Sequence, residues 1–517
     1  MRRLLLPILL LAVAIGATVQ MNRANEEADP GRAVGISTDV DLATPIFSAR
    51  RAPEWLRNPK SDTMLVDAIN TVLRTDETPP LSCVLVERDG ERMAASNTAA
   101  AIRTDELHRL ITATVIDAAG SGGAFRTEIA IAADAEIVVT DEETGAAELQ
   151  GDVWLIGAGD PGLATADYAA RFDNGRVFTD FDQLAADAIA ELQARNIVTI
   201  RGRVIGDESK YTPVEADYFY NIDVPDGEGG TTREPVWVAG SDINDIGPLS
   251  ALLLNDGFDS WPDEQETFDQ SSNRRASNPA VAAAAYLDDR FEEAGIVITR
   301  SARDGEAPST AERETLAVVD SPDLDQIIAT SLVDATTAEM LLKEYGVRAG
   351  TDSERINAVF ALVAGGFVSA GLPYSPVDGT NYHDGSGRSA LNRTNCEMIH
   401  ATIADRAGVG ASIITPAAQS PVAACASGPG EMYVMATVSD TATGLTGWYD
   451  APNGERLTFT MLAEDPTRLE TPPDDPAAEP AGPFPYCNAL QAAMLEAIAG
   501  HPYGPDLNEL APLDPAG

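Results

Sequence analysis

The stretch Arg103–Gly120, "RTDELHRLITATVIDAAG", predicts a helix with a defined start and an apolar face. Its first turn carries Glu106 and Arg109, which are three residues apart and therefore lie on one side of the helix. Enzymes frequently place a catalytic group in such a first turn, so these two residues are the first candidates for chemistry.

The composition sets the scale and the charge of the protein. The chain has 517 residues, which suggests two or three domains, and 44% of them are hydrophobic, enough for a packed interior. The formal net charge is -46, from 81 acidic and 35 basic residues. Such an acidic surface repels nucleic acid and anionic lipid headgroups, which argues against phosphate-binding roles. We attribute the charge to solubility or to adaptation to salt.

The N-terminal residues 1–22 predict a signal peptide or an N-terminal anchor. Two arginines precede an apolar run from Leu4 to Val19, which is the layout of a secretory signal. The run is short for a membrane span of about 20 residues, and no small-x-small cleavage site follows it. Either interpretation predicts a secreted or extracytoplasmic protein. Residues 23–57 are polar and punctuated by Pro and Gly, and we interpret them as a linker.

The four cysteines are compatible with two disulfides in an exported chain. They are Cys83, Cys396, Cys425 and Cys487, and they allow three connectivities. No Cys or His spacing matches a zinc site, and the four histidines are scattered, so neither a metal nor a cofactor is predicted.

Turn and periodicity signals predict a succession of helices and strands. A helix is predicted from Met64, and a turn at Asp89–Gly90 joins the two strands of a hairpin. The middle of the chain alternates helices with strands, which indicates an inserted α/β region. The stretch Gly157–Gly162, "GAGDPG", lacks the spacing of a dinucleotide-binding loop and the lysine of a P-loop. We interpret it as a structural turn.

Six segments, taken in order, resemble one family. They are "LIGAGDPGLAT" (155–165), "IRGRVIGDESKY" (200–211), "PLSALLLNDG" (248–257), "SPDLDQIIATSLVDATTAEMLLKEYG" (321–346), "DGSGRSALNR" (384–393) and "NGERLTFTML" (453–462). Over roughly residues 60–500, the chain resembles the D-alanyl-D-alanine carboxypeptidases of the penicillin-binding protein 4 type, the S13 serine peptidases.

The resemblance implies an α/β (α+β) fold. This is a penicillin-binding transpeptidase or β-lactamase-like domain, in which an antiparallel sheet is flanked by helices and an inserted α/β region divides the sequence. The implied ranges are 58–128 for the first part, 129–318 for the inserted domains, 319–502 for the second part and 503–517 for a C-terminal tail. Because both parts build one sheet, the strand with Cys83 is expected near the closing helix. That placement favours Cys83–Cys487 and leaves Cys396–Cys425 as the second bridge.

Enzymes of this class use three motifs, S-x-x-K, S-x-N and K-T-G. The serine hydroxyl attacks the acyl carbon of a D-Ala-D-Ala peptide bond. The lysine one helical turn later removes the proton of the serine hydroxyl, which requires surroundings that lower the pKa of the lysine. The K-T-G strand supplies a positive charge and hydrogen bonds for the carboxylate of the substrate.

None of the three motifs is present at the matching positions. The family pattern "KLxTA" aligns with "RLITA" at residues 109–113, which puts the lysine on Arg109 and the serine on Glu106. The other matching positions are Val333, Asp334 and Ala335 for S-x-N, and Thr437, Val438 and Ser439 for K-T-G. No S-x-x-K occurs anywhere in the sequence, and none of its three lysines precedes Thr-Gly or Ser-Gly.

Glu106 and Arg109 need no catalytic explanation. Arginine is too basic to act as a neutral base, whereas a Glu106–Arg109 ion pair and a carboxylate in the first turn both suit a helix. A second candidate set, Ser386 with His383 and Asp384, lies in one short loop, which cannot align three side chains as a triad. We interpret that loop as a turn.

Two functional classes follow from the missing motifs. The first is a non-catalytic relative, exported to face the cell wall, that binds peptidoglycan stem peptide or a protein of cell-wall synthesis. The second is an active D-Ala-D-Ala carboxypeptidase or endopeptidase with an atypical site in which Glu106 acts as a base. Nucleic acid is not expected as a partner, and a membrane is expected only through the N-terminal segment. The absence of all three motifs favours the first class.

Overall fold

The computed structural model describes most of the chain from residue 54 onward. The described residues are 54–75, 78–120, 124–172, 175–211, 220–225, 231–236, 249–260, 274–348, 365–375, 379–389, 392–404, 428–438, 442–465 and 488–503. Their α-helices are α1 (Glu54–Leu73), α2 (Arg109–Ala119), α3 (Ala166–Ala169), α4 (Phe181–Ala194), α5 (Pro279–Glu293), α6 (Leu324–Ser331), α7 (Ala335–Arg348), α8 (Phe367–Ser369), α9 (Cys396–Ala404) and α10 (Ala489–Ala499). None of the described helices combines the length and the apolar character that crossing a membrane requires.

Strands account for much of the rest. They are β1 (Leu81–Arg88), β2 (Glu91–Ser96), β3 (Ile102–Arg103), β4 (Arg126–Ala132), β5 (Glu136–Val139), β6 (Ala147–Gln150), β7 (Val153–Ile156), β8 (Leu163–Ala164), β9 (Thr179–Asp180), β10 (Ile197–Ile200), β11 (Val204–Asp207), β12 (Tyr220–Pro225), β13 (Thr231–Val236), β14 (Phe258–Ser260), β15 (Arg274–Arg275), β16 (Val297–Ile298), β17 (Arg303–Asp304), β18 (Arg313–Asp320), β19 (Arg393–Thr394), β20 (Glu431–Val438), β21 (Ala442–Asp450) and β22 (Arg456–Glu464).

The first and last parts of the chain build one antiparallel sheet. Its strand order is β2-β1-β22-β21-β20, and β1 from the first part pairs along its full length with β22 from the last part. The hairpin between β1 and β2 turns at Asp89 and Gly90, both with positive φ, as the Asp-Gly signal predicted. The predicted antiparallel sheet shared by two distant parts of the sequence is confirmed.

Alternate residues of this sheet face two separate layers of helices. Cys83 and Leu85 of β1 point into a core formed with α2, α6, α7 and α9. Val84 and Val86 point into a second core, formed with α1 and α10. The sheet is therefore covered on both faces, and the apolar face predicted for the helix after Glu106 is buried in the first core.

Two further sheets form the inserted region, with strand orders β16-β10-β6-β5 and β17-β11-β7-β4-β18. The helices α4 and α5 pack on them, with Phe181 and Phe291 fully buried. The strands β4 and β18 pair with each other, so the predicted boundaries at 128/129 and 318/319 fall inside paired strands. The strands put the limits of the inserted region at Arg126 and Asp320.

The predicted disulfides Cys83–Cys487 and Cys396–Cys425 are both wrong, because Cys83 is bonded to Cys396. The reason is a contact between the two parts of the chain that the sequence did not reveal. The short strands β3 and β19 pair, with Arg103 opposite Arg393, and β19 is followed by α9, which packs against β1. Cys425 and Cys487 lie outside the described residues.

The ends of the described chain also shift two predicted boundaries. The helix α1 begins at Glu54, so the last residues of the predicted linker 23–57 are helical. Tyr503, predicted as the first residue of the tail, donates its backbone N–H to Ser61 Oγ at 2.7 Å and is therefore packed. The predicted signal peptide or anchor at 1–22 lies outside the described residues.

Candidate active site

The first turn of the predicted helix is a 3-10 turn, Asp105–His108, that continues into α2. The loop that contains Gly387 presses against it. A Cβ atom on Gly387, whose φ is +80°, would lie 1.9 Å from the carbonyl oxygen of Asp105 and 3.2 Å from Cα of Glu106. A glycine is required here because a side chain would collide with the backbone of the turn.

The strand matched to K-T-G lies beside the same turn. A Cβ atom on Gly444 would lie 2.7 Å from Leu107 Cδ1 and 3.3 Å from Thr437 Cγ2, so Leu107 packs where β20 and β21 meet. Thr437 is buried, whereas Val438, at the end of β20, is 56% exposed. Ser439 lies outside the described residues. The structure thus brings the K-T-G position and the S-x-x-K position together.

Arg109 occupies the place matched to the lysine and points into the protein. Nε donates a hydrogen bond to the carbonyl oxygen of Ser386 at 2.9 Å, and Nη1 donates to that of Leu332 at 3.4 Å. Nη2 lies 3.5 Å from Oε1 of Glu106; the Arg109 side chain is 3% exposed and that of Glu106 is 48% exposed. Burial lowers the pKa of the Arg109 guanidinium, and the Glu106 carboxylate opposes that shift. The predicted ion pair is present, with its negative end outward.

The segment matched to S-x-N, Val333–Ala335, contributes the carboxylate of Asp334. Oδ2 of Asp334 accepts hydrogen bonds from the backbone N–H and the hydroxyl of Thr337, both at 2.7 Å. Oδ1 lies 3.2 Å from Nη1 of Arg176. Burial raises the pKa of Asp334, but Arg176 and the Thr337 hydrogen bonds outweigh it and hold that pKa below its ordinary value. This position therefore holds a carboxylate whose two oxygens are both engaged.

Arg176 is a residue of the site that the sequence analysis missed. It belongs to the inserted region, and its Nη2 donates to the two carboxylate oxygens of Asp256 at 3.1 and 2.8 Å. Its guanidinium carbon lies 4.4 Å from the ring centroid of Phe172 and 4.9 Å from that of Phe178. Burial lowers the pKa of Arg176, but Asp256 and Asp334 outweigh it and raise that pKa. An arginine between two phenylalanines is the signal that could have marked it.

The loop Asp384–Ser389 is a turn, as predicted. Asp384 accepts hydrogen bonds from backbone groups of the loop, among them the Gly387 N–H at 2.6 Å. Ser386 is fully buried, and its N–H donates to Oε1 of Glu339 at 2.9 Å. Since its carbonyl oxygen also accepts from Arg109, Ser386 serves the packing of the loop.

Residues 261–425 match the model of the family described as D-Ala-D-Ala carboxypeptidase 3 (S13). The match covers 165 of the 517 residues, so this part of the chain is similar to that family. No curated protein matches the sequence at a significant level.

Two solved structures share the fold of this chain. Penicillin binding protein 4 (dacB) from Haemophilus influenzae is 15% identical, with a TM-score of 0.56 over 82% of this chain and 97% of that chain. The same protein complexed with a novel β-lactam is 14% identical, with a TM-score of 0.52 over 83% of this chain and 97% of that chain. At these identities the likeness concerns the fold, and it confirms the predicted transpeptidase-like fold class.

The three lysines of the chain lie at other places in the structure. Lys343 is 1% exposed. Its Nζ donates to the carbonyl oxygen of Leu249 at 2.8 Å, and burial lowers its pKa to about 8. Nζ of Lys210 lies 2.8 Å from Oε2 of Glu344, and Lys60 is exposed on α1. Lys210 and Lys343 thus join the inserted region to α7 and do not replace the base of the S-x-x-K motif.

The glycine-rich stretch 157–162 is a structural turn, as predicted. The carboxylate of Asp160 accepts hydrogen bonds from the N–H of Gly162 at 2.8 Å and from the hydroxyl of Thr179 at 2.5 Å. Burial raises the pKa of Asp160 to about 6, more than these hydrogen bonds lower it. The N–H groups of Gly157 and Gly159 donate to the carbonyl oxygens of Asp207 and Ala251, so these donors are used within the protein.

Proposed function

We propose that this chain is an exported, non-catalytic member of the S13 family that binds the stem peptide of the cell wall. The observation that carries the proposal is the pair Glu106–Arg109, which stands where the serine and the lysine of the family are expected. The elements that surround this pair, namely the 3-10 turn, the loop 384–389 and β20, are assembled as a site. The scaffold is retained while the reacting groups are replaced.

Serine acylation requires a hydroxyl and a proton acceptor within hydrogen-bond reach of each other. A guanidinium donates hydrogen bonds and accepts none, and two nitrogens of Arg109 already donate to carbonyl oxygens. Loss of one member of such a catalytic unit commonly costs about 10⁴- to 10⁶-fold in rate. Replacement of both the serine and the lysine removes the groups that a serine mechanism requires.

The buried charges behind Glu106 support a role in binding. Arg109, Asp334, Arg176 and Asp256 alternate in sign, and Arg176 contacts both carboxylates. Buried ions are costly to desolvate unless each is paired and hydrogen-bonded. The network holds Asp334, and Leu332, two residues before it, accepts a hydrogen bond from Arg109, the partner of Glu106.

Reaction with a fluorescent penicillin tests the absence of catalysis. The purified full-length protein is incubated with the probe and read by in-gel fluorescence and intact mass, with the Haemophilus influenzae penicillin binding protein 4 as the positive control. We expect no covalent adduct on the wild-type protein. A label on the wild type that disappears in Glu106→Ala would contradict the proposal and favour the alternative, an active carboxypeptidase or endopeptidase with an atypical site.

Co-sedimentation with purified peptidoglycan tests the binding. We expect the protein to sediment with the polymer and to be released by an excess of a soluble peptide that ends in D-Ala-D-Ala. Protein that stays in the supernatant at all salt concentrations contradicts the assignment of the stem peptide as ligand, and a protein of cell-wall synthesis then becomes the candidate partner.

Export is the second part of the proposal. Its support is the signal-like layout of residues 1–22 together with the wall-directed chemistry of the S13 family. Fusion of residues 1–60 to a phosphatase that is active only outside the cytoplasm should give active enzyme. An inactive fusion with full expression would contradict export.

A further inference from the structure

The charges of the site are arranged with the negative group outward and the positive group inward. The Glu106 side chain is 48% exposed, whereas that of Arg109 is 3% exposed. Nε and Nη1 of Arg109 donate to carbonyl oxygens of the protein, and Nη2 lies 3.5 Å from Oε1 of Glu106, so the guanidinium lies behind the carboxylate. A ligand that arrives from solvent meets the carboxylate of Glu106 first.

The second positive charge expected in this family is replaced as well. The K-T-G lysine position falls on Thr437, which is buried, and the exposed residue beside it is the apolar Val438. One exposed cation, Arg388, follows Gly387 in the adjoining loop. The preceding residue, Gly387, presses against the turn that carries Glu106, which places Arg388 beside the site. At the matched motif positions that the structure describes, the exposed charge is therefore negative.

We propose that this site recognises an ammonium group of its peptide ligand, held by Glu106, in place of the terminal carboxylate. The inference rests on the proposed function, since it concerns the ligand of the same site. The ligand class is a peptide with a free amine on a side chain or at its end. A hydrogen bond between an ammonium and a carboxylate is charge-assisted and therefore stronger than a neutral one.

Four synthetic peptides separate the two modes of recognition. All end in D-Ala-D-Ala, carry one lysine and have the label on the N-terminal amine, so that the lysine holds the one amine; that amine is free or acetylated, and the C-terminus is a carboxylate or an amide. Binding of each labelled peptide to the full-length protein is measured by fluorescence anisotropy at low salt. We expect acetylation of the amine to weaken binding about tenfold, and amidation of the C-terminus to change it less than about twofold.

Three variants assign the effect to a residue. Glu106→Gln keeps the shape of the side chain and should remove the preference for the free amine. Glu136→Gln, an exposed glutamate on β5 of the inserted region, is the matched control and should keep that preference. Arg388→Gln removes a neighbouring positive charge and should tighten binding of the peptide with the free amine, whereas recognition of a carboxylate would be weakened by it.

The outcomes distinguish this inference from the proposed function. Equal binding of the free and acetylated peptides, or loss of binding on amidation, overturns the inference and leaves the proposed function standing. Failure of all four peptides to bind a protein with an intact thermal transition overturns the proposed function and the inference with it.

Discussion

Arg176 Nη1 lies 3.2 Å from Asp334 Oδ1, with the two side chains 4% and 14% exposed. This contact joins the inserted region to the segment that matches the S-x-N motif. Leu332, two residues before Asp334, accepts a hydrogen bond from Nη1 of Arg109, and Arg176 also pairs with Asp256. The inserted region therefore supplies a charge that fixes the polar groups behind Glu106.

Replacement of Arg176 by leucine should destabilise the protein by about 3–5 kcal/mol, because two buried carboxylates lose their common partner. The matched control is Arg126→Leu, whose pair with Asp320 is 3.9 Å long and about two thirds exposed on both sides. That substitution should stay within about 0.5 kcal/mol of the wild type. Urea unfolding followed by circular dichroism measures both, and equal effects of the two substitutions would contradict the account.

The contact between Gly387 and the first turn predicts a large effect of one methyl group. Gly387 and Gly90 have φ values of +80° and +77°; a Cβ on Gly387 meets the Asp105 carbonyl, whereas a Cβ on Gly90 meets nothing within 4 Å. Gly90→Ala should cost only the left-handed backbone strain, about 1 kcal/mol. Gly387→Ala should cost at least about 2 kcal/mol more, because the turn at Glu106 must move. Urea unfolding gives the free energy of unfolding of both variants. Similar losses for Gly387→Ala and Gly90→Ala would show that the loop does not press on the turn.

Asp160 predicts a pH dependence of stability. Its pKa is about 6 in the folded protein because of burial, against an ordinary value near 3.9 in the unfolded chain. Between these values the folded protein binds more protons than the unfolded chain, so the free energy of unfolding falls as the pH rises from about 4 to about 6. The fall amounts to about 3 kcal/mol and persists above that window.

The variant Asp160→Asn isolates this effect, since its side chain does not titrate. The free energy of unfolding of the variant, minus that of the wild type, should become more positive between about pH 4 and pH 7. Urea unfolding at several pH values gives this difference directly, with the acid sensitivity of all other groups cancelled. A difference that is constant with pH would show that Asp160 is ionised throughout.

The disulfide Cys83–Cys396 joins residues 313 positions apart. Digestion without reduction, followed by mass spectrometry, should release a cross-linked peptide that contains both cysteines. Because the bond closes a long loop in the unfolded chain, the double variant with alanine at both positions should lose about 4 kcal/mol of stability. A peptide that links Cys83 to Cys487 would support the pairing that this structure rejects.

The parts of the fold that depend on neighbouring residues were predictable from the sequence. The Asp89–Gly90 turn needs two residues with positive φ, and Asp-Gly supplies them cheaply. The 3-10 turn and α2 occupy the stretch whose apolar spacing predicted a helix. The predicted limits of the inserted region fall inside β4 and β18. The pairing of these two strands decides where they end, and no residue at 128 or 318 signals in the sequence that the strand continues.

The site was predictable in part for the same reason. Glu106 and Arg109 form an i,i+3 pair, so local spacing placed them correctly. Cys396 and Arg176 reach their partners only through contacts between distant segments, β3 with β19 and the inserted region with Val333–Ala335. The pairing of β3 with β19 leaves no periodic trace in the chain, and the phenylalanines that flank Arg176 do not reveal its partner Asp334.

Release of D-alanine from a synthetic peptide that ends in D-Ala-D-Ala tests the loss of catalysis most directly, since it detects hydrolysis by any mechanism. Wild-type protein and Glu106→Ala are each incubated at high concentration with the peptide, and free D-alanine is quantified over time against buffer. The account predicts that both proteins release it no faster than buffer. Release by the wild type that exceeds buffer and disappears in Glu106→Ala would contradict it.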